Sequence, residues 1–330
     1  MSDEDPNAAL TERFIKMSPE HVFDAVEIGG VRCTGRYMVL NSYENRVFSF
    51  ELEDETWIVA KFYRPGRWSR ETILDEHRFI ADLAEAEIPV ARPLPHADGT
   101  TLGTWEGILF AVFPRVRGRQ PQEFNTEEVE VMGRFLARLH NVGAAGEAPH
   151  RLRLTPASYG WDNVRYLAET GLIPPEAKAN YVQTAEILLK RIEPLFVNVP
   201  MQRIHGDCHL GNLIWVAQGP AFLDFDDMLI GPVVQDVWML LPSFDEFGVR
   251  DRERFIDAYE QFREFDHAQL RLIEPLRALR YLHYTAWIAR RWEDPLFKRV
   301  FAHFGTLRYW QQETNDLREQ IARIDYQPTW

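Results

Sequence analysis

Two aspartates and an asparagine carry the strongest chemical signal in the sequence. They lie in Ile204-His205-Gly206-Asp207-Cys208-His209-Leu210-Gly211-Asn212 and, past Leu213-Ile214-Trp215 and a turn, in Ala221-Phe222-Leu223-Asp224-Phe225-Asp226-Asp227. Moving a phosphoryl group onto a hydroxyl needs one carboxylate to orient the hydroxyl and accept its proton. It also needs hard oxygen ligands for Mg2+, which bridges the phosphates and offsets developing charge. Asp207 suits the first role. Asn212, five residues on, and Asp224, twelve beyond that, suit the second. Asp and Asn are also common in turns, but an apolar run ending at Asp224 reads as a buried strand aiming a carboxylate into a cleft.

HGDCHLGN followed by LDFDD resembles the catalytic core of the aminoglycoside phosphotransferase and choline kinase group, relatives of protein kinases. The likeness is closer to the bacterial stress response kinase A family. LNSYENRVFSF, VAKFYRPGRW, FAVFP, RIHGDCHLGN, LDFDD, GPVVQDVWMLL and IEPLRALRYLHYTAWIARRW are similar to its segments, in order, over most of the chain. The resemblance implies an α+β, two-lobed, protein-kinase-like fold and a serine/threonine protein kinase that uses ATP and Mg2+. It implies that Asp207 is the catalytic base, that Asn212 and Asp224 bind the metal, and that Asp224 stands where kinases have the Asp of DFG. Lys61 would match the lysine on the ATP phosphates, with Glu76 on the following helix as its ion-pair partner. An exposed strand lysine and a solvated helix face are the plainer readings of these two.

Some features depart from protein kinases. No GxGxxG separates the first strands; the turn there is Asn41-Ser42-Tyr43-Glu44-Asn45. Ser42 and backbone N–H groups can still meet a phosphate, because amide donors rather than glycine itself bind the anion; a plain Ser turn is equally open. HRD is replaced by HGD, no APE follows, and few residues separate Asp227 from Gly231-Pro232, so no long activation loop is expected. His205 reads as a brace of the catalytic loop, His209 as a satisfied loop histidine, Cys208 as a buried small residue, and Asp236 as a helix cap or a brace.

These residues need elements to hold them. Residues 1–17 read as a polar lead-in, and a short helix follows Ser18-Pro19. Arg46–Leu52 alternates polar and apolar residues, Glu53-Asp54-Glu55 is a turn, and Trp57–Tyr63 is the next strand of an antiparallel hairpin. Ile73, Leu74, His77, Ile80, Leu83 and Ala84 recur at helical spacing from a start near Ser69. Ile108–Phe113 reads as a buried strand, closed by Pro114, and Arg115–Gln122 as a linker. Helices follow through Val129–Leu139, with Gly143 as a stop, and over 175–195, 251–263 and 268–291. This predicts a nucleotide-binding lobe at 1–114, with adenine against the backbone of Phe113–Arg115, and a helical lobe at 115–330. The arginines of Glu274–Trp292 are read as the solvated face of a core helix rather than as a rim for the acceptor.

The chain has 330 residues, 45% hydrophobic and 13% aromatic, enough for a sizeable core. A formal net charge of −13 disfavours nucleic acid and anionic lipid as partners. Cys33 and Cys208 form no CxxC pair, the N-terminus lacks an apolar stretch, and no run of about 18 apolar residues occurs. The expectation is a cytoplasmic monomer whose partners are ATP and a protein. Two alternatives stand beside it: a kinase acting on a small alcohol such as an aminoglycoside, choline or homoserine, and a metal-dependent hydrolase built on His205, Asp207 and His209. Against the hydrolase, position 203 is Arg where such enzymes carry a further histidine.

Overall fold

The structure, a computed structural model, describes residues 8–326 apart from 29, 41 and 244. A five-stranded antiparallel sheet in the order β1-β2-β3-β5-β4 occupies the first part. The strands are β1 (Cys33–Leu40), β2 (Arg46–Leu52), β3 (Trp57–Phe62), β4 (Gly103–Trp105) and β5 (Ile108–Pro114). Alternation does what it promises here. Phe48, Phe50, Ile58, Ala60, Phe62 and Phe110 turn one face inward against helices α1 (Ala8–Ile15) and α2 (Pro19–Ile28).

Part of the expected lead-in is therefore helical, because Phe14, 1% exposed, buries against the sheet; residues 1–7 lie outside the described residues. Strand β1 had no clear pattern. It is exposed through most of its length and its register shifts between Cys33 and Tyr37.

Helix α3 (Arg70–Glu85) starts where expected, with Ser69 Oγ accepting the Thr72 N–H. One face carries Phe79, Ile80 and Leu83 into the large helical core, and Ile73 packs with Tyr63 and Ala111 beside the sheet. The helix also buries four polar residues, Thr72, Asp75, Glu76 and His77. Such burial requires partners.

The remainder is mostly helical: α4 (Thr126–Ala144), α5 (Asp162–Glu169), α6 (Pro175–Ile192), α7 (Val234–Leu240), α8 (Glu246–Tyr259), α9 (Ile273–Arg290), α10 (Pro295–Val300) and α11 (Leu307–Tyr326). Gly143 does not stop α4, which runs one residue further. A Cβ at Gly143 would collide with the Arg203 carbonyl, so the glycine serves close packing. Two small antiparallel pairs lie between α6 and α7: β6 (Gln202–Ile204) with β9 (Leu229–Gly231), and β7 (Leu213–Val216) with β8 (Gly219–Phe222). Among the described residues no helix is long and apolar enough to cross a membrane. This is a two-lobed, protein-kinase-like fold.

Candidate functional site

The β7–β8 hairpin explains why Asn212 and Asp224 meet. Leu213 pairs with Phe222, so the flanking residues close the hairpin's open end, where the Leu223 N–H donates to the Asn212 carbonyl at 2.9 Å. Asn212 Nδ2 donates to the Asp207 carbonyl at 3.0 Å and lies 3.4 Å from Asp207 Oδ2. Its amide orientation is fixed by those acceptors. Asp224 follows with left-handed backbone (φ 55°), and its half-exposed side chain stands in the cleft.

Asp207 follows β6 on a loop held from behind. Asp236, completely buried, accepts the N–H groups of His205 and Gly206 at 2.8 Å each, and His140 Nε2 lies 3.2 Å from its Oδ2. His140 Nδ1 meets the Tyr259 hydroxyl at 2.9 Å, and Gln235 donates to the Gly206 carbonyl. His205 Nε2 is 2.9 Å from the Leu223 carbonyl, so it ties the loop to the segment after β8 that carries Asp224. Asp236 and His205 are thus braces. Gly206 has φ 81°, and a Cβ there would strike the Asp227 carbonyl.

The two oxygens of Asp207 are unequal. His209 Nε2 lies 3.3 Å from Oδ2, and the His209 Nδ1 accepts from Gly211 N. Oδ1 is buried and lies 2.8 Å from Arg280 Nη2, an ion pair. Burial alone would raise this carboxyl, but the His209 bond and the Arg280 charge hold it well below the usual range. Asp207 is a carboxylate whose Oδ1 is shielded from solvent beside Arg280.

Lys61, on β3, reaches the same cleft from the sheet. Its ammonium lies 2.9 Å from Asp224 Oδ1, 3.2 Å from Asp226 Oδ1 and 3.8 Å from Glu76 Oε1. Burial would lower it, but the three carboxylates hold it well above its ordinary value. Glu76 is buried on α3, with Arg151 Nη2 3.0 Å from its other oxygen; burial pushes its carboxyl up to about 7 against the pull of both cations.

Sequence reasoning missed the centre of this network. Asp226, 3% exposed, is contacted by Lys61, by Arg67 and by Asn45 Nδ2 at 3.1 Å. Burial would raise it, and Lys61, Arg67 and Arg151 hold it well below the carboxylate range. The second and third aspartates of LDFDD and the arginines of FYRPGRW were its available signal.

Ser42 Oγ accepts the Asn45 N–H at 3.1 Å, which makes a serine turn; Asn41 lies outside the described residues. Glu44 in that turn is buried. Arg291 Nη2 and Trp287 Nε1 each approach its Oε2 at 2.6 Å, and Arg64 Nε lies 3.3 Å from Oε1. The turn is thereby tied to α9. The arginines of this segment are not all on a solvated face: Arg280 on α9 meets Asp207 and Arg291, just past its end, meets Glu44, because α9 borders the cleft, while Arg290 is exposed.

Cys208 is fully buried and burial pushes its thiol well up, leaving it unreactive. The hydrolase alternative also loses its geometry. His205 spends Nε2 on a carbonyl, and among the described residues no three His, Cys, Asp or Glu are grouped to hold a metal.

The phosphotransferase enzyme family matches residues 38–273. Stress response kinase A of Escherichia coli (strain K12) is 40% identical over 323 residues, 98% of this chain and 97% of the relative. A serine/threonine protein kinase, RdoA, of Salmonella typhimurium (strain LT2) is 40% identical over 96% of this chain and 95% of its own. Among solved structures, an amicoumacin kinase in complex with AMP-PNP, Ca2+ and Ami shares the fold, with a TM-score of 0.72 over 91% of this chain and 94% of that one at 20% identity. The chain belongs to the phosphotransferase enzyme family and, within it, to the stress response kinase A family.

Proposed function

We propose that the chain transfers the γ-phosphoryl of ATP to serine or threonine hydroxyls of a protein. That it is an ATP-dependent phosphotransferase follows from its family; the acceptor and the residue roles are the proposal. One observation carries the roles. Lys61 and Asp224, 163 residues apart, meet at 2.9 Å in the cleft that also holds Asp207 and Asn212.

In this reading the Asp207 carboxylate receives the hydroxyl's hydrogen bond and then its proton. Lys61 holds the α and β phosphates, with Glu76 and Asp226 fixing its position, and the N–H groups of the Ser42 turn cover them. Adenine lies against the backbone of Phe113–Arg115, with residues 1–114 as the nucleotide lobe and 115–330 as the helical lobe. The donor set fits Mg2+: Asn212 has its amide N–H engaged and its carbonyl oxygen free, and Asp224 adds a half-exposed carboxylate. Two such oxygens suit an ion that takes its remaining ligands from phosphates and water. When bound, the ion offsets charge on the transferred group. The expected setting is the cytoplasm and the expected state a monomer.

A protein acceptor is supported by near full-length similarity to a relative named a serine/threonine protein kinase. A small alcohol is the second reading, since the amicoumacin kinase of like fold is named for a small molecule. Purified chain incubated with labelled ATP and Mg2+, with and without a generic protein substrate, separates them. Label on protein serine or threonine, lost in Asp207→Asn, supports the first. ATP turnover only with added small alcohols supports the second. Folded protein that binds no ATP would falsify both.

A further inference from the structure

Asp207 is gripped at both oxygens by groups from different parts of the chain. His209 stands in the same loop. Its Nδ1 accepts from Gly211 N, so its proton is on Nε2, which faces Oδ2 at 3.3 Å. Arg280 comes from α9 and places Nη2 2.8 Å from Oδ1. Buried Leu276, Leu279 and Leu282 seat that turn of α9 in the helical core, and a group on a packed helix is placed more precisely than one on a loop. Loop and helix both belong to the mostly helical remainder of the chain, so this pair does not span the cleft as Lys61 and Asp224 do.

Arg280 is set apart from the other cations of the cleft. Lys61 meets Asp224, Asp226 and Glu76; Arg67 meets Asp226 and Asp227; Arg151 meets Glu76; and Arg291 meets Glu44. Each of those side chains is 11% exposed or less, whereas Arg280 is 38% exposed. Among the described residues Asp207 is the one carboxylate within ion-pair distance of Arg280. The Asp207 side chain keeps 22% exposure, almost none of it at Oδ1.

A cation beside a base has two opposed effects. It weakens the hold on a proton, and it fixes the carboxylate in one orientation. In phosphoryl transfer the second outweighs the first, because the transition state is loose and catalysis rests on positioning and electrostatics. A misplacement of about 1 Å costs about a hundredfold in rate. The loop itself cannot supply the cation from position 206, where the Asp227 carbonyl excludes any side chain. Helix α9 supplies it instead.

We infer that Arg280 is the positioning residue of the catalytic base, holding Asp207 through Oδ1 so that Oδ2 is the oxygen presented to the acceptor hydroxyl. This rests on the reading of Asp207 as the base. The other charged or titratable groups that face Asp207 are His205, Cys208 and His209 on its own loop, Asp227 after β8, and Tyr159 in the turn before α5. A substitution at Arg280 leaves all of them in place, so a moved acid limb reads the loss of its charge.

The test uses the full chain with labelled ATP, Mg2+ and a generic protein substrate, and follows ATP hydrolysis by water beside it. Arg280→Lys keeps the charge, Arg280→Gln keeps a donor, and Arg280→Met keeps neither. Arg280→Met should lower kcat about ten- to hundredfold, with the KM for ATP and the melting temperature near wild type. The acid limb of its kcat should move up by about one pH unit or more, because an adjacent arginine holds an aspartate down by about 1–3 pH units. Gln should move the limb likewise, and Lys should restore the limb and most of the rate. Wild-type kcat and limb in Arg280→Met overturn the inference. A lower kcat with the limb unmoved in all three variants also overturns it, as the mark of a merely structural arginine. A raised acceptor KM with kcat kept overturns it too, since Arg280 then contacts the acceptor rather than the base. A wild type that neither labels protein nor hydrolyses ATP removes the phosphotransfer reading, and this inference with it.

Discussion

Replacing Asp236 by Asn asks how firmly the catalytic loop is held. Asp236 is wholly buried, and its two oxygens accept the adjacent N–H groups of His205 and Gly206 at 2.8 Å each, with His140 at 3.2 Å. Asn has one carbonyl oxygen and one NH2, so one of the two backbone donors must face another donor. A hydrogen bond to a charged acceptor contributes about 1.5–3 kcal/mol, and stranding a buried donor costs about 1–3 kcal/mol. The variant should lose about 3 kcal/mol of stability. The stranded amide lies one or two residues before Asp207, so the loss is coupled to the base. Urea denaturation followed by tryptophan fluorescence should show a lower midpoint with an unchanged slope. At a temperature where the variant is folded, kcat should fall at least tenfold with the KM for ATP nearly constant. A stability change under about 0.5 kcal/mol, the scale of an ordinary surface substitution, together with full kcat, would refute the brace.

Other perturbations follow from the same geometry. Asp207→Asn should lower kcat by about 10²–10⁴, the range for a general base, without loss of thermal stability or ATP affinity; retention of wild-type turnover would exclude Asp207 as the base. Lys61→Met leaves Glu76 with Arg151 and Asp226 with Arg67 as their remaining cations, both carboxylates being nearly inaccessible; removing a buried ion-pair partner costs up to about 3–5 kcal/mol, so a calorimetric melting temperature equal to wild type would contradict the network. Burial, then Lys61 and Arg151, hold the His77 imidazole down at about 3, against 6.5 ordinarily. The unfolded chain therefore binds a proton below pH 6.5 that the folded chain refuses. Its contribution to stability is complete above that pH and falls by about 1.4 kcal/mol per unit as pH drops toward 3. Stability measured between pH 6.5 and 5 should fall less steeply in His77→Gln. Glu44→Gln leaves Arg64, Arg67 and Arg291 short of one anion and should weaken thermal stability; an unchanged melting curve would deny the tie between the Ser42 turn and α9.

What could be read beforehand depended on how local each feature is. Strands β2 and β3 announce themselves by alternation, and α3 by Ser69 and its apolar spacing. Asn212 and Asp224 were legible because a four-residue strand, a turn and another strand bring them together by a mechanism visible in the chain itself. Arg151 and Arg67 were not. Their partners Glu76 and Asp226 lie 75 and 159 residues away, and nothing near either arginine distinguishes it from a surface cation. The α9 arginines were misjudged because helical spacing tells which residues share a face but not what the face borders. Glu76 and Lys61 came from resemblance, and their contact at 3.8 Å depends on packing α3 against the sheet.

Gly206 sets a limit on how this kinase can be controlled. Position 206, between the brace and the base, is sealed by the Asp227 carbonyl, so no side chain can be placed there to sense a distant charge. The stretch it faces, from Asp224 to Leu241, contains no serine, threonine or tyrosine, and part of it is committed as β9 to pairing with β6. A phosphate has no place to be written on that stretch and no reader at position 206. Signals that silence or rouse the enzyme must act through cleft occupancy or through the packing of sheet against helices, and the catalytic loop itself is built to stay in one state.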